Sequence, residues 1–328
     1  MIVRVDPRDD AALRGWHAAY LEAETHERPF ATPWMFEEVR AAALAPPVAT
    51  ERLLHAVVLD GEVVATAQAL LPLKDNVTRA DLMVHTRPAH RRRGHATALL
   101  DQLEPLLAER GRRVLTAVTD HAYDVGPSGV GDPGVDLLRG RGYEHALGDV
   151  QQSLDLPVAE ERLAALGAVR PPYRLVTVTE ALPDELLPSY CRLAGTLVTE
   201  APTGDLEQEP EVFDEERLRA EEQQLRDGGR TRYLTLAREV AGFSELAVPR
   251  HDPGRAYQQG THVGREHRGR ALGTAVKAAN LRLLQEREPG VRRVITYNAE
   301  VNEHMIRVNT LLGFRPTARL AEMQKRLA

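Results

Sequence analysis

Residues 263–276 read VGREHRGRALGTAV, and residues 86–99 read TRPAHRRRGHATAL. In both stretches an arginine-rich turn with small residues links an apolar run to a run whose apolar residues recur at helical spacing. Each helical run is followed by another apolar run, RVLT at 113–116 and RVIT at 293–296. A glycine–aromatic pair closes each copy. Two copies with the same order of parts indicate an internal duplication.

The segments before each copy predict the same set of elements. In the first half, the apolar runs HAVVL and EVVATAQALLPL flank Asp60-Gly61, a two-residue hairpin signal. In the second half, apolar runs at 233–240, 241–249 and 256–263 precede the turn. We therefore predict the α/β class, as an α+β sandwich. Each half is expected to be a mixed, mostly antiparallel sheet flanked by helices.

Two domains follow from the length and from the duplication. The chain has 328 residues, about twice the common domain size. We expect an N-terminal domain at 1–157, a linker at 158–172 and a C-terminal domain at 173–328. The linker contains the helical run VAEERLAALGA and the pair Pro171-Pro172. The two fused copies could pack together as a pseudo-dimer.

Composition and charge narrow the functional classes. The net charge of −6 argues against a nucleic-acid partner, because neutralising phosphates requires surplus lysine and arginine. The first ten residues lack the apolar stretch of a signal peptide, and no apolar run approaches the roughly 20 residues that span a bilayer. We expect a cytoplasmic protein without a membrane partner. Cys191 is the only cysteine, and its apolar surroundings favour a core residue over a nucleophile.

The repeated turn is suited to binding phosphate. Backbone N–H groups at a helix start have no intrahelical partner, and the helix dipole adds positive charge there. Arginines would add bidentate donors, and small residues would let the backbone close around a pyrophosphate. A helix start with solvent-exposed arginines is the alternative interpretation. The P-loop, dinucleotide-binding, HExxH and CxxC patterns are absent, so no metal site is predicted.

Both turns resemble the acetyl-CoA-binding motif [QR]xxGx[GA] of the GNAT superfamily of N-acetyltransferases. The copy at 91–96, RRRGHA, satisfies the motif, whereas the copy at 268–273, RGRALG, has Ala271 at the central glycine. The second half also resembles bacterial tandem GNAT proteins at 202–206, 277–280 and 302–314. The resemblance implies two GNAT folds in tandem and acetyl-CoA as the acyl donor.

The resemblance also implies roles for individual residues. In the family, the residue five positions before the motif arginine offers its N–H to the thioester oxygen, which here is Val263, or Thr86 in the first half. Asn302 matches an asparagine that contacts the cofactor. Asn309 stands where relatives have a tyrosine that protonates the leaving thiolate. Leu138 occupies that position in the first half, so the first domain is expected to bind CoA without catalysing.

The resemblance thus places cofactor-binding residues in both turns. In the C-terminal domain they are Val263, Gly264, Arg265, Arg268, Gly269, Arg270, Ala271, Leu272, Gly273, Thr274 and Asn302. In the N-terminal domain they are Val84, Thr86, Arg91, Arg92, Arg93, Gly94, His95 and Ala96.

A base is needed because an alkylamine attacks only in its neutral form. Many relatives place a glutamate at the position that is Tyr257 here. Glu245, on the neighbouring predicted strand, could reach the cleft instead, and His262 is a weaker candidate. We therefore expect Glu245, Tyr257, Val263 and Asn309 to be the catalytic set.

The predicted reaction is direct acetyl transfer to an amine, either a small molecule or a peptide. A CoA-responsive binding protein remains an alternative. A transferase that uses a larger acyl-CoA or a hydroxyl acceptor remains another.

Overall fold

The computed structural model describes residues 1–237 and 240–327. Arg238 and Glu239, at the end of the predicted strand 233–240, lie outside the described residues, as does Ala328. The strands are β1 Ile2–Arg4, β2 Thr50–Leu59, β3 Glu62–Pro72, β4 Arg79–Thr86, β5 Val114–Ala122, β6 Glu144–Asp155, β7 Leu175–Thr179, β8 Arg230–Ala237, β9 Gly242–Pro249, β10 Arg255–Val263, β11 Arg293–Ala299 and β12 Arg315–Arg326. The helices are α1 Asp10–Thr25, α2 Phe36–Leu44, α3 His95–Glu109, α4 Pro133–Gly140, α5 Glu160–Leu166, α6 Leu187–Ala194, α7 Leu197–Glu200, α8 Glu215–Asp227, α9 Leu272–Arg287 and α10 Glu303–Leu312.

The chain divides into two compact units. Unit 1 consists of Met1–Gly148, Gly204–Glu209 and the chain from Ala318 onward. Unit 2 consists of Asp149–Thr203 and Pro210–Thr317. These limits differ from the linear domains expected at 1–157 and 173–328, because the last strand of the chain belongs with the first half.

Unit 1 contains a sheet in the order β1-β2-β3-β4-β5-β12. Its strands pair antiparallel except for β4 and β5, which run parallel. The apolar face of α3 packs on one side of the sheet through residues such as Leu99 and Leu103. On the other side, Leu13 and Trp16 of α1 pack against Leu54. Asp60 and Gly61 both have positive φ, which confirms the predicted hairpin turn between β2 and β3.

Unit 2 repeats this arrangement with the order β6-β11-β10-β9-β8-β7. The parallel pair is β10 and β11. Helix α9 covers one side of the sheet, with Leu281 and Leu284 in the core. Tyr190 of α6 and Leu218 of α8 pack on the other side. The predicted α/β class, with mixed, mostly antiparallel strands flanked by helices in each unit, is confirmed.

The helical run expected in the linker segment forms α5. Helix α5 lies against α9, and its Leu163 is buried in the unit 2 core. Among the described residues, no helix has the length and apolar character needed to span a membrane. That same part of the chain holds no group of three or more acidic, histidine or cysteine side chains arranged to bind a metal.

Candidate functional site

In each unit the two parallel strands separate before they reach the arginine-rich turn. Strand β4 pairs with β5 from Arg79 to Leu82 but continues to Thr86. Strand β10 pairs with β11 from Arg255 to Tyr257 and continues to Val263. The last residues of β4 and β10 therefore present an edge of backbone N–H and C=O groups that the neighbouring parallel strand does not use.

The hydrogen bonds that follow each strand fix the direction of its last N–H group. The Gly264 N–H donates to the Ala241 carbonyl at 3.0 Å, and the Arg87 N–H donates to the Val64 carbonyl at 3.0 Å. Successive N–H groups along a strand point to opposite edges. The N–H of Val263 consequently points to the separated edge of β10. The N–H of Thr86 does the same in unit 1.

Both turns pass through left-handed backbone at the same two positions. These are Arg92 and Gly94 in unit 1, with φ of 63° and 82°, and Gly269 and Ala271 in unit 2, with φ of 76° and 57°. Turns of this kind gather consecutive N–H groups into a concave anion site. Gly94 and Ala271 are also the N-caps of α3 and α9, and neither helix has an acidic residue in its first turn.

The motif arginines are braced by protein groups. Arg268 Nε donates to the Val263 carbonyl at 3.2 Å, and Arg91 Nε donates to the Thr86 carbonyl at 3.4 Å. Arg268 also pairs with the carboxylate of Glu200, at the end of α7. The sequence did not indicate this ion pair, because 68 residues separate its partners.

A second brace in unit 2 involves Tyr173. Arg270 donates to the Tyr173 hydroxyl, which also lies 3.0 Å from Nδ1 of His267. The expected donors Arg268 and Arg270 are thus oriented by Glu200 and Tyr173. Each guanidinium carries five N–H groups, so both arginines keep N–H groups that these contacts do not use.

These features fit an acyl-CoA in both units. The turn and helix start offer backbone N–H groups and arginines of the kind that bind a diphosphate. The separated strand edge matches an extended amide-containing arm, and the Val263 or Thr86 N–H points into the same opening. The residues expected between Val84 and Ala96, and between Val263 and Thr274, all lie on these strand ends, turns and first helical turns.

Glu245 is held in a buried network. Its carboxylate accepts from Arg232 at 2.8 Å and from the Tyr190 hydroxyl at 3.2 Å. Arg232 also donates to Glu222 at 2.7 Å. The Arg232 guanidinium and the Tyr190 hydroxyl already engage this carboxylate, so the geometry disfavours Glu245 as the base.

Tyr257 and Cys191 are also unfavourable acid–base groups. Burial raises the pKa of the Tyr257 hydroxyl, which makes its ionised form rarer at neutral pH. Its ring lies beside Arg230, 5.3 Å from the guanidinium carbon. Cys191 lies in α6, and burial raises the pKa of its thiol, in keeping with the expected core role.

Asn309 and Asn302 have structural partners. Asn309 is fully buried, where it accepts from Lys277 Nζ at 2.7 Å and donates to Gln152 at 2.8 Å. This burial disfavours direct contact between Asn309 and a leaving thiolate. Asn302 is the N-cap of α10, and its side chain accepts from the Met305 N–H at 3.1 Å. Its expected contact with the cofactor stays a prediction.

Sequence comparison identifies the family. The Acetyltransferase (GNAT) family profile matches residues 13–124 and 200–314, one match in each half of the chain. The chain belongs to the GNAT family. Membership makes it an acyl-CoA-dependent acyltransferase in general terms. No curated protein matches this GNAT sequence.

Solved structures agree with the tandem arrangement of this GNAT protein. A tandem GNAT protein from the clavulanic acid biosynthesis pathway, without acetyl-CoA, is 30% identical with a TM-score of 0.82, over 99% of this chain and 98% of that one. A GCN5-related N-acetyltransferase from Sphaerobacter thermophilus is 17% identical with a TM-score of 0.66, over 99% and 95%. Saccharomyces cerevisiae N-myristoyltransferase, with bound myristoyl-CoA, is 11% identical with a TM-score of 0.62, over 99% and 77%. The last two show a shared fold.

Proposed function

We propose that this GNAT protein transfers an acetyl group from acetyl-CoA to an amine by direct attack in a ternary complex, with unit 2 as the catalytic unit. One observation carries the proposal. In unit 2 the separated edge of β10, the inward-pointing Val263 N–H and the anion-binding turn before α9 occur together. Unit 1 has the same elements but no asparagine that matches Asn302, and it is proposed to bind CoA without catalysing.

Each part of unit 2 has a distinct task. When bound, acetyl-CoA supplies an acetyl group already activated as a thioester. The turn from Arg268 to Gly273 holds the diphosphate through backbone N–H groups and guanidinium donors. The Val263 N–H donates to the thioester oxygen, where negative charge develops during attack. The edge of β10 aligns the donor for the incoming nitrogen.

The acceptor is proposed to be a small-molecule or peptide amine. A small molecule is supported by the 30% identical tandem GNAT protein, which belongs to a biosynthetic pathway. Glu200, at the end of α7, adds a carboxylate near the turn that would favour a cationic amine over an anionic one. We propose that the reaction takes place in the cytoplasm.

A CoA-responsive binding protein is the second candidate. The burial of Asn309 favours it, because no titratable side chain stands at the position of the family's tyrosine. Thiol release measured over a panel of amines separates the two candidates. Turnover with any acceptor excludes a purely binding role.

The Arg268→Ala, Gly273→Asp double variant tests the site. A Cβ at Gly273 meets only the Val263 side chain, at 3.6 Å, so the fold should tolerate the change. The new carboxylate opposes a phosphate at the helix start, and acetyl-CoA turnover should fall by at least ~100-fold. Undiminished turnover would refute the site.

Two further variants complete the experiment. Arg250→Ala removes an exposed arginine outside the turn and should retain turnover. Arg91→Ala, Ala96→Asp makes the matched change in unit 1. Calorimetric titration should then show loss of one of two CoA equivalents, and the remaining turnover reports which unit catalyses.

A further inference from the structure

His262 directly precedes Val263 in β10, and its contacts show on which face of the sheet its side chain lies. Its ring centroid is 6.4 Å from that of Phe243, which packs with α6. The Val263 side chain packs instead with Leu272 and Val276 of α9. His262 therefore faces the α6–α7 side, opposite the helix that begins at the phosphate-binding turn.

The hydrogen bonds of Thr196 assign the imidazole tautomer. The Thr196 hydroxyl donates its only proton to the Leu193 carbonyl at 2.8 Å. It therefore acts as an acceptor towards Nε2 of His262, 3.0 Å away. Nε2 must carry the ring proton, which leaves the lone pair of the neutral ring on Nδ1.

The charges around His262 suit a side chain that is neutral before the reaction and becomes cationic when it accepts a proton. Burial lowers the pKa of His262, and Arg268 acts in the same direction. The Glu200 carboxylate, 3.8 Å from Nε2, opposes this shift and would stabilise the protonated ring. Glu200 thus contacts both the imidazole and the motif arginine.

Unit 1 repeats the pair at the equivalent positions. His85 precedes Thr86 as His262 precedes Val263, and its Nε2 lies 3.2 Å from the Glu24 carboxylate. Burial opposes ionisation of Glu24, but the hydrogen bond with His85 and the charge of Arg28 outweigh it and lower the pKa of Glu24. A histidine–glutamate pair at the end of the separated strand is therefore common to both copies, although Glu24 lies in a helix three turns longer than α7.

We infer that His262 is the general base of the acyl transfer, an assignment that rests on the proposed function. Nδ1 takes the proton that the amine nitrogen loses as its bond to the acyl carbon forms. The carbon–sulfur bond breaks, and the sulfur leaves as thiolate. The imidazolium then gives its proton to the thiolate, which yields free CoA and restores the neutral ring.

The tautomer can be tested without turnover. Nitrogen-15 NMR of histidine-labelled protein, assigned with a His262→Gln variant, should show the proton on Nε2 and a pKa that burial lowers from the ordinary histidine value. A proton on Nδ1 at neutral pH overturns the inference even if the protein is an active transferase.

The kinetic test compares His262→Gln with the wild type. Glutamine can still donate to Thr196 but takes no proton, so kcat should fall by about 10²–10⁴. In the wild type, activity should rise with pH as His262 loses its proton. This rise should be absent in His262→Gln. CoA affinity by calorimetry should stay within about twofold, because the phosphate contacts persist.

Wild-type turnover is measured first and tests the proposed function. A failure of the proposed function is therefore distinguishable from a failure of the His262 assignment. Given wild-type turnover, a His262→Gln kcat within about threefold with the acid limb intact overturns the assignment. His251→Gln, the same replacement at an exposed histidine of unit 2, is the matched control and should keep both kcat and the pH profile.

Thr196 acts as a positioning residue, with a test of its own. Thr196→Val keeps the shape but removes the acceptor for Nε2–H, so the tautomer is no longer fixed. We expect kcat to fall about tenfold, together with a changed Nε2 resonance. Thr196→Ser should restore both. An unchanged Nε2 resonance in Thr196→Val contradicts the assigned hydrogen bond.

Discussion

Ala271 occupies a backbone conformation that glycine adopts more easily. Each arginine-rich turn has two left-handed positions, yet each has a glycine at only one of them: Gly94 after Arg92, and Gly269 before Ala271. The left-handed region costs a residue with a Cβ roughly 1–2 kcal/mol. The departure from the family motif at Ala271 therefore strains the turn without changing its path.

Ala271→Gly should raise the free energy of unfolding of unit 2 by about 0.5–1 kcal/mol, the relief of strain less the greater flexibility of unfolded glycine. Gly94→Ala is the reciprocal change in unit 1. A Cβ there meets nothing within 4 Å, so only the backbone opposes it, and stability should fall by about 1 kcal/mol. Urea unfolding measures both. Destabilisation by Ala271→Gly contradicts this explanation.

For individual residues, the sequence indicated which ones form the turns but not which side chains contact the arginines of the turns. Arg268, Gly269 and Ala271 were recognisable because the motif is local. The partners Glu200 and Tyr173 come from distant segments, and their types carry no signal of contact. The base could not be chosen from the sequence, since only the structure shows that Arg232 engages Glu245.

Helices α9 and α10 are joined by a buried polar pair. Lys277 is fully buried, donates to Asn309 at 2.7 Å and lies 5.3 Å from the centre of the Phe314 ring. Burial lowers the pKa of Lys277 to about 7. The equivalent positions in unit 1 hold Leu100 and Leu138, both in the apolar core. The fold therefore accepts an apolar pair at this contact.

Lys277 should make the stability of unit 2 depend on pH. Between about 7 and the ordinary lysine pKa near 10.4, the unfolded chain binds a proton that the folded chain lacks. Stability from this group therefore rises with pH, by about 1.4 kcal/mol per pH unit within that window. We expect the free energy of unfolding of the wild type, relative to that of Lys277→Met, to rise by this amount between pH 8 and pH 9. Urea unfolding of both proteins at each pH measures it. A constant difference between the two proteins rules out the depressed pKa.

The helices themselves were predictable from spacing, but this contact was not. Lys277 and Asn280 are buried on the face of α9 that packs against the sheet and α10. Asn280 donates to the carbonyls of Tyr233 and Ser244, both at 3.0 Å. Apolar periodicity gives no information on polar residues in a core, because their stability depends on partners that lie far away in the sequence.

In the molecule as a whole, the sheet of unit 1 is completed by the end of the chain. Strand β12 pairs antiparallel with β5 from Ala318 to Arg326. Its Ala321 and Met323 are buried in the unit 1 core, and Lys325 donates to Glu104 of α3 at 2.7 Å. The duplication indicated two folds, but it could not show that β12 pairs within unit 1. The sequence pattern of a strand does not identify the strand with which it pairs.

Removal of the chain after Thr317 should selectively destabilise unit 1. Hydrogen exchange should show lost protection in β2–β5, while β8–β11 keep theirs, because their partners remain. Ala321→Asp should have the same selective effect, since an unpaired carboxylate would enter an apolar core. Equal loss of protection in both units contradicts the assignment of β12 to unit 1.

The pairing of β12 with β5 has a consequence for synthesis. A ribosome produces β1 to β5 first, yet the strand that pairs with β5 is made only after all the other strands of both units. The half that is translated first is thus the half that finishes folding last. Until β12 is made, the nascent protein carries an open β edge at β5, which makes it a candidate client for chaperones that shield such edges.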